Sequence, residues 1–160
     1  MNKALIYKIL RWATVLVALI FIVNASSQDT DTAATFAQIE TAVSEKVDLA
    51  LVQKVDADKL ERFYGLNAQD YANCILYLPT DGVVYVEELL LIEVKDEAQK
   101  ESVLAAIDAR LDTQIKTFEN YNMFGQFEKL TEKTHIEVRG NFILFIVNCD
   151  AAYEAFLSTV

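Results

Sequence analysis

VVYVEELLLIEVK, Val83 to Lys95, is the stretch whose reading decides the fold. It is dense in β-branched and aliphatic residues, and a strand sends alternate side chains to opposite faces. Its even-numbered members are Val84, Val86, Glu88, Leu90, Ile92 and Val94, apolar except for one carboxylate. Read as one long strand, it turns Glu88 toward the core face. Upstream, CILYLP (Cys74 to Pro79) is strand-like and PTDG supplies turn residues, so the two runs form a hairpin. Downstream the period changes from two to 3.6. DEAQKESVLAAIDARLDTQIKTFENYN reads as the longest helix, Glu97 to Asn122, with acidic residues in the first turn, where the helix dipole favours them.

Two further strands follow, HIEVR (His135 to Arg139) and FILFIVN (Phe142 to Asn148), joined by the tight-turn pair Gly140-Asn141. FILFIVN is apolar on both alternations, as expected of a central strand covered on both faces. AAYEAFLS closes the chain as a short helix. Before the hairpin, Ala33 to Val47 reads as a helix with Phe36, Ile39 and Val43 on one face. DADKLERFYGLN reads as a second helix, from an Asp56 N-cap to Gly65 as C-cap. The fold class is α+β: an antiparallel-rich four-stranded sheet packed by one long helix, with short N- and C-terminal helices. With 160 residues, 53% of them hydrophobic, the chain has enough apolar side chains for one core.

Residues 1–25 have a composition of their own. Lys3, Lys8 and Arg11 precede an uncharged apolar run from Trp12 to Val23 that ends in Asn24-Ala25. That order is expected of a signal peptide cleaved near Ala25, or of an N-terminal membrane anchor. Residues 26–32 then form a linker, and 33–160 a single extracytoplasmic domain, anchored to the cell membrane or secreted. No other apolar run approaches spanning length without charge, so the membrane is expected to be touched only through the N-terminal segment. Without residues 1–25 the chain keeps 11 basic and 24 acidic residues, a net charge of −13. Such a surface repels nucleic acid and anionic lipid headgroups, and solubility accounts for it more simply than a dedicated site for cations or basic partners does.

Few residues point to chemistry. Cys74 and Cys149 each end an apparent strand, so they either form one disulfide, if those ends are neighbours, or stay as two thiols. Neither has histidine or a second cysteine at ligand spacing, so no metal site is expected. His135, the only histidine, is expected to face solvent beside Glu137 and Arg139, with Ile136 and Val138 inward. No glycine-flanked serine elbow, phosphate loop, dinucleotide glycine run or EF-hand loop occurs, so no catalytic residue and no cofactor is assigned. Glu87 and Glu88 are adjacent on a strand, point to opposite faces, and cannot act as a carboxylate pair.

The long helix is more informative. Its stripe runs Ile107, Arg110, Gln114, Phe118, Tyr121, with two polar side chains among apolar ones. An inward Glu88 opposite Arg110 and Gln114 lets the three complete one another's hydrogen bonds, and none of them tolerates burial alone. Two readings stand. The cluster fixes the helix register on the sheet, or Arg110 and Gln114 line a pocket for an anionic or amide-bearing ligand with Glu88 as orienter.

Several motifs together carry a resemblance: Tyr64-Gly65 in LERFYGLNAQDY, Glu88 on the long strand, Arg110 with Gln114, Phe118 with Tyr121, and Gly140 in EVRGNFILFIVN. In this order, over Val55 to Phe156, the chain resembles an uncharacterised domain-of-unknown-function family of membrane-tethered or secreted proteins of Gram-positive bacteria. Many similar proteins carry a lipid-attachment cysteine after the apolar run, and this chain has none. The resemblance implies no activity. The expected function is a non-catalytic binding or envelope-associated accessory module whose partner is an unknown envelope protein or small ligand. The alternative is a small cell-envelope hydrolase or ligand-processing enzyme using Glu88, Arg110 and Gln114.

Overall fold

The computed structural model describes residues 34–120 and 125–160. The segment expected to direct export, the expected linker and Tyr121 lie outside the described residues. Among those described, no helix is long and apolar enough to cross a membrane.

The elements are α1 (Phe36–Ser44), β1 (Val52–Lys54), α2 (Asp58–Tyr64), a 3-10 turn (Ala68–Asp70), β2 (Asn73–Pro79), β3 (Glu88–Glu93), α3 (Gln99–Asn120), α4 (Gln126–Glu132), β4 (Thr134–Arg139), β5 (Phe142–Val147) and α5 (Asp150–Thr159). Helix α1 opens on a capping box. The Gln38 amide N–H donates to Thr35 Oγ1 at 3.4 Å, and the Thr35 N–H donates to Gln38 Oε1 at 2.9 Å. Helix α2 ends at Gly65, whose φ of 68° is the left-handed conformation that terminates a helix cheaply only in glycine.

The architecture is α+β with an antiparallel sheet, as expected, but the sheet has five strands in the order β1-β2-β3-β5-β4 rather than four. The added strand is β1, three residues paired with the outer edge of β2. A strand that short has no alternation to read, and that is why the sequence hides it. The β2–β3 and β4–β5 pairs are antiparallel as expected. Strand β5 is buried at every position, and β3 lies in the middle.

The two alternations of β2, β3 and β5 feed two cores. Leu76, Leu90, Ile92, Ile143, Phe145 and Val147 pack with α2, α3 and α4 through Leu60, Ile107, Phe118 and Leu130. Ile75, Leu89, Leu91, Leu144 and Ile146 pack with Ile39 and Val43 of α1 and Ala152 and Phe156 of α5. The short terminal helices α1 and α5 pack against each other there, so helices cover both faces.

Several boundaries are corrected. The long strand starts at Glu88, not Val83, because the Asp81 carbonyl accepts from the Val84 and Tyr85 amides and folds 82–87 into a turn and its exit. Within that turn Val83 is 81% exposed. Helix α1 is shorter than Ala33 to Val47, and α2 has Ala57, with no side-chain cap, in place of the expected Asp56. Helix α4 was not expected at all. The structure also corrects His135: it is half-buried rather than solvent-facing, stacked on Tyr153 of α5 at 4.1 Å with its Nε2 2.9 Å from Asp150 Oδ1. Helix α5 covers that face of the edge strand, while Ile136 on the other face is 42% exposed.

Candidate functional site

Glu88 is the first residue of β3, on the face that meets α2 and α3. Its side chain has 0% exposure. Four donors converge on it. Oε1 accepts from the Tyr64 hydroxyl at 2.5 Å and from Arg110 Nε at 3.3 Å. Oε2 accepts from Arg110 Nη2 and from Gln114 Nε2, each at 2.9 Å. A carboxylate offers about four lone-pair directions, so Glu88 is saturated.

The helical spacing accounts for the two donors on α3. Arg110 and Gln114 lie one turn apart, and both reach back onto the same strand residue. The structure therefore brings together Glu88, Arg110 and Gln114 of the expected group, while Tyr121 lies outside the described residues. It adds Tyr64, which sequence reasoning missed. Tyr64 ends α2, and its ring meets Phe145 edge-on at 6.4 Å, which aims the hydroxyl at Glu88. Burial, then the Glu88 carboxylate beside it, holds the Tyr64 hydroxyl well above the usual phenol range, so it stays a donor. Burial pulls Arg110 down but Glu88 more than restores it, leaving the guanidinium above its ordinary value.

Arg110 is not sealed in. Its side chain keeps 15% exposure, and its Cζ sits 4.9 Å from the centre of the Phe63 ring. It forms part of the wall of a cleft of about 360 Å³ between α2, α3, and the β1–β2 edge. Gln114 lines the same cleft. Gln114 is buried, and its Oε1 has no hydrogen-bond partner among the described residues. A larger hollow of about 920 Å³ lies between α1, α2 and the start of β2, where Glu40, Asp56 and Glu93 face one lysine, Lys54, already paired with Glu40.

Glu87, next to Glu88 in the chain, is a second buried carboxylate. Glu87 accepts from Lys129 Nζ at 2.7 Å and from Asn148 Nδ2 at 2.8 Å. Both partners come from segments with no sequence signal linking them to Glu87, one on α4 and one just after β5.

The cysteines are not brought together. Both are free, so the disulfide considered from the sequence is not formed. Cys74 packs with the α3-side core and pairs in register with Ile92, near one end of the sheet. Cys149 follows β5 beyond the Val147–Glu88 pair, at the other end, and packs with the α1–α5 core. Opposite faces and opposite ends are incompatible with the Cα separation of under roughly 7 Å that a bridge needs. Among the described residues no group of three or more His, Cys, Asp or Glu is placed to hold a metal ion.

A family model matches the chain. The model described as Domain of unknown function (DUF4358) matches residues 45–148. The chain belongs to this family. The matched span runs from the turn before β1 to the end of β5, and so takes in Tyr64, Glu88, Arg110 and Gln114. No curated protein and no solved structure matches the chain.

Proposed function

We propose that this DUF4358 domain is extracytoplasmic, held at the membrane by residues 1–25 or released by cleavage near Ala25, and works as a non-catalytic binding module. The observation that carries the non-catalytic part is the state of Glu88. A base or nucleophile must reach its substrate, and a carboxylate with no exposure and four donors presents no lone pair to one. Its role is to fix Arg110 and Gln114 in the cleft wall. The export part is supported by the basic-then-apolar composition of residues 1–25.

Adding protease to intact protoplasts that express the full chain tests the location. Digestion of the domain without lysis is the expected result, and full protection until lysis would contradict it. Catalysis is tested separately by the Glu88→Gln variant. It is expected to lose stability, and loss of a turnover activity from a folded Glu88→Gln protein would favour the hydrolase reading.

A further inference from the structure

The 360 Å³ cleft differs in charge from the chain as a whole. The protein carries 24 acidic residues, yet no Asp or Glu is among the residues lining this cleft, whereas Lys59, Arg62 and Arg110 all are. Arg62 is exposed at the rim, and Lys59 is half-buried with only a 3.3 Å contact to the exposed Asp58. Between the cations the walls are apolar, with Phe63, Leu78, Tyr85 and Phe118. A cleft of this size is at the small end of ligand pockets.

Gln114 closes the inner wall. It is 6% exposed, and its Nε2 must face Glu88, because the amide oxygen would be repelled by a carboxylate. Its Oε1 has no donor but is buried as well, so a ligand in the cleft does not reach it. Arg110 is half-used. Two of its five N–H groups go to Glu88, and the side chain keeps 15% exposure in the cleft wall.

We propose that this cleft binds a carboxylate that carries an aromatic side chain, either a free acylated amino acid or the carboxyl end of a peptide. The carboxylate sits among Arg62, Lys59 and the outer edge of Arg110, and the side chain lies on Phe63 and Phe118. Inorganic phosphate satisfies the cations but leaves the apolar walls unmatched. The proposal rests on the reading of the domain as a binding module.

The test uses the full chain in phosphatidylcholine nanodiscs with ligand-observed NMR. The probes are N-acetyl-phenylalanine, its uncharged carboxamide, inorganic phosphate, and an acetylated tetrapeptide ending in phenylalanine. N-acetyl-phenylalanine is expected to bind, with the carboxamide about tenfold weaker and phosphate not competing. Arg62→Ala and Lys59→Ala, both outside the buried cluster, should each weaken it by about three- to tenfold without changing the melting temperature. The tetrapeptide separates the two sources: tighter binding than N-acetyl-phenylalanine identifies a peptide end, weaker binding a free small molecule. No binding, equal binding of the carboxamide, or indifference to both substitutions would overturn the proposal and leave the binding-module reading standing. Release of acetate from a bound probe would instead overturn the non-catalytic reading.

Discussion

Glu88 and Arg110 meet through two hydrogen bonds, Nε to Oε1 at 3.3 Å and Nη2 to Oε2 at 2.9 Å, where the carboxylate has no solvent contact and the guanidinium keeps an outlet to a cleft. The asymmetry separates their roles. The carboxylate is wholly committed to the fold, and the arginine is committed to the fold on one side and available on the other. Two-sided use of this kind needs the planar fork of a guanidinium.

Glu87 makes stability depend on acid. Burial alone would push its pKa up, but the hydrogen bonds from Lys129 and Asn148 outweigh that and hold it below its ordinary value of 4.5. A carboxyl whose pKa is lower folded than unfolded contributes stability in full above the unfolded pKa. That contribution is lost as the pH falls from about 4.5 through the folded value. Melting temperatures followed from pH 7 to pH 2.5 should therefore fall less steeply on the acid side for Glu87→Gln than for the wild type. Parallel curves would contradict the account.

Asn148 has a φ of 57°, the left-handed region, while its Nδ2 donates to Glu87. Both Asn148→Gly and Asn148→Ala remove the hydrogen bond, but only alanine adds a Cβ penalty, roughly 1 kcal/mol. Urea denaturation should rank the proteins as wild type, then glycine, then alanine. Alanine equal to or above glycine would show that the backbone there is unstrained.

The thiols of Cys74 and Cys149 lie on opposite faces of the sheet. The melting temperature should be unaffected by reductant, and alkylation in denaturant without prior reduction should label both. A reductant-sensitive melt with one or no thiol labelled would mean that an intramolecular bridge forms after all.

What could be read from the sequence follows from how local each signal is. Glu88 was legible because one charged residue broke an alternation, and Arg110 with Gln114 because two polar residues broke a helical stripe. Tyr64 was not, since a tyrosine ending a helix looks like any other core aromatic until Glu88, 24 residues away in sequence, is placed beside its hydroxyl. Glu87 was set aside because its neighbour faces the other way. Nothing local announces that Lys129 and Asn148 will arrive over it from 42 and 61 residues downstream. The overlong strand has the same origin: Val83 to Val86 have strand composition, but the turn closed by Asp81 overrides it. The cleft depends on α2, α3 and the β1–β2 edge meeting, and β1 has too few residues to show a pattern.

The central claim is that Glu88, Arg110 and Gln114 form one buried unit that fixes the cleft wall. A double-mutant cycle tests it most directly, with chemical denaturation of wild type, Glu88→Ala, Arg110→Ala and the double variant, and Arg110→Lys alongside. Each single alanine should cost about 3 to 5 kcal/mol, because it leaves a desolvated partner unpaired. The double variant should cost clearly less than the sum, since neither charge is then orphaned. Arg110→Lys should recover only part of the loss, because an ammonium cannot span both carboxylate oxygens as the fork does. Single-variant losses below about 1 kcal/mol that add in the double variant, the behaviour of an exposed ion pair, would contradict the account.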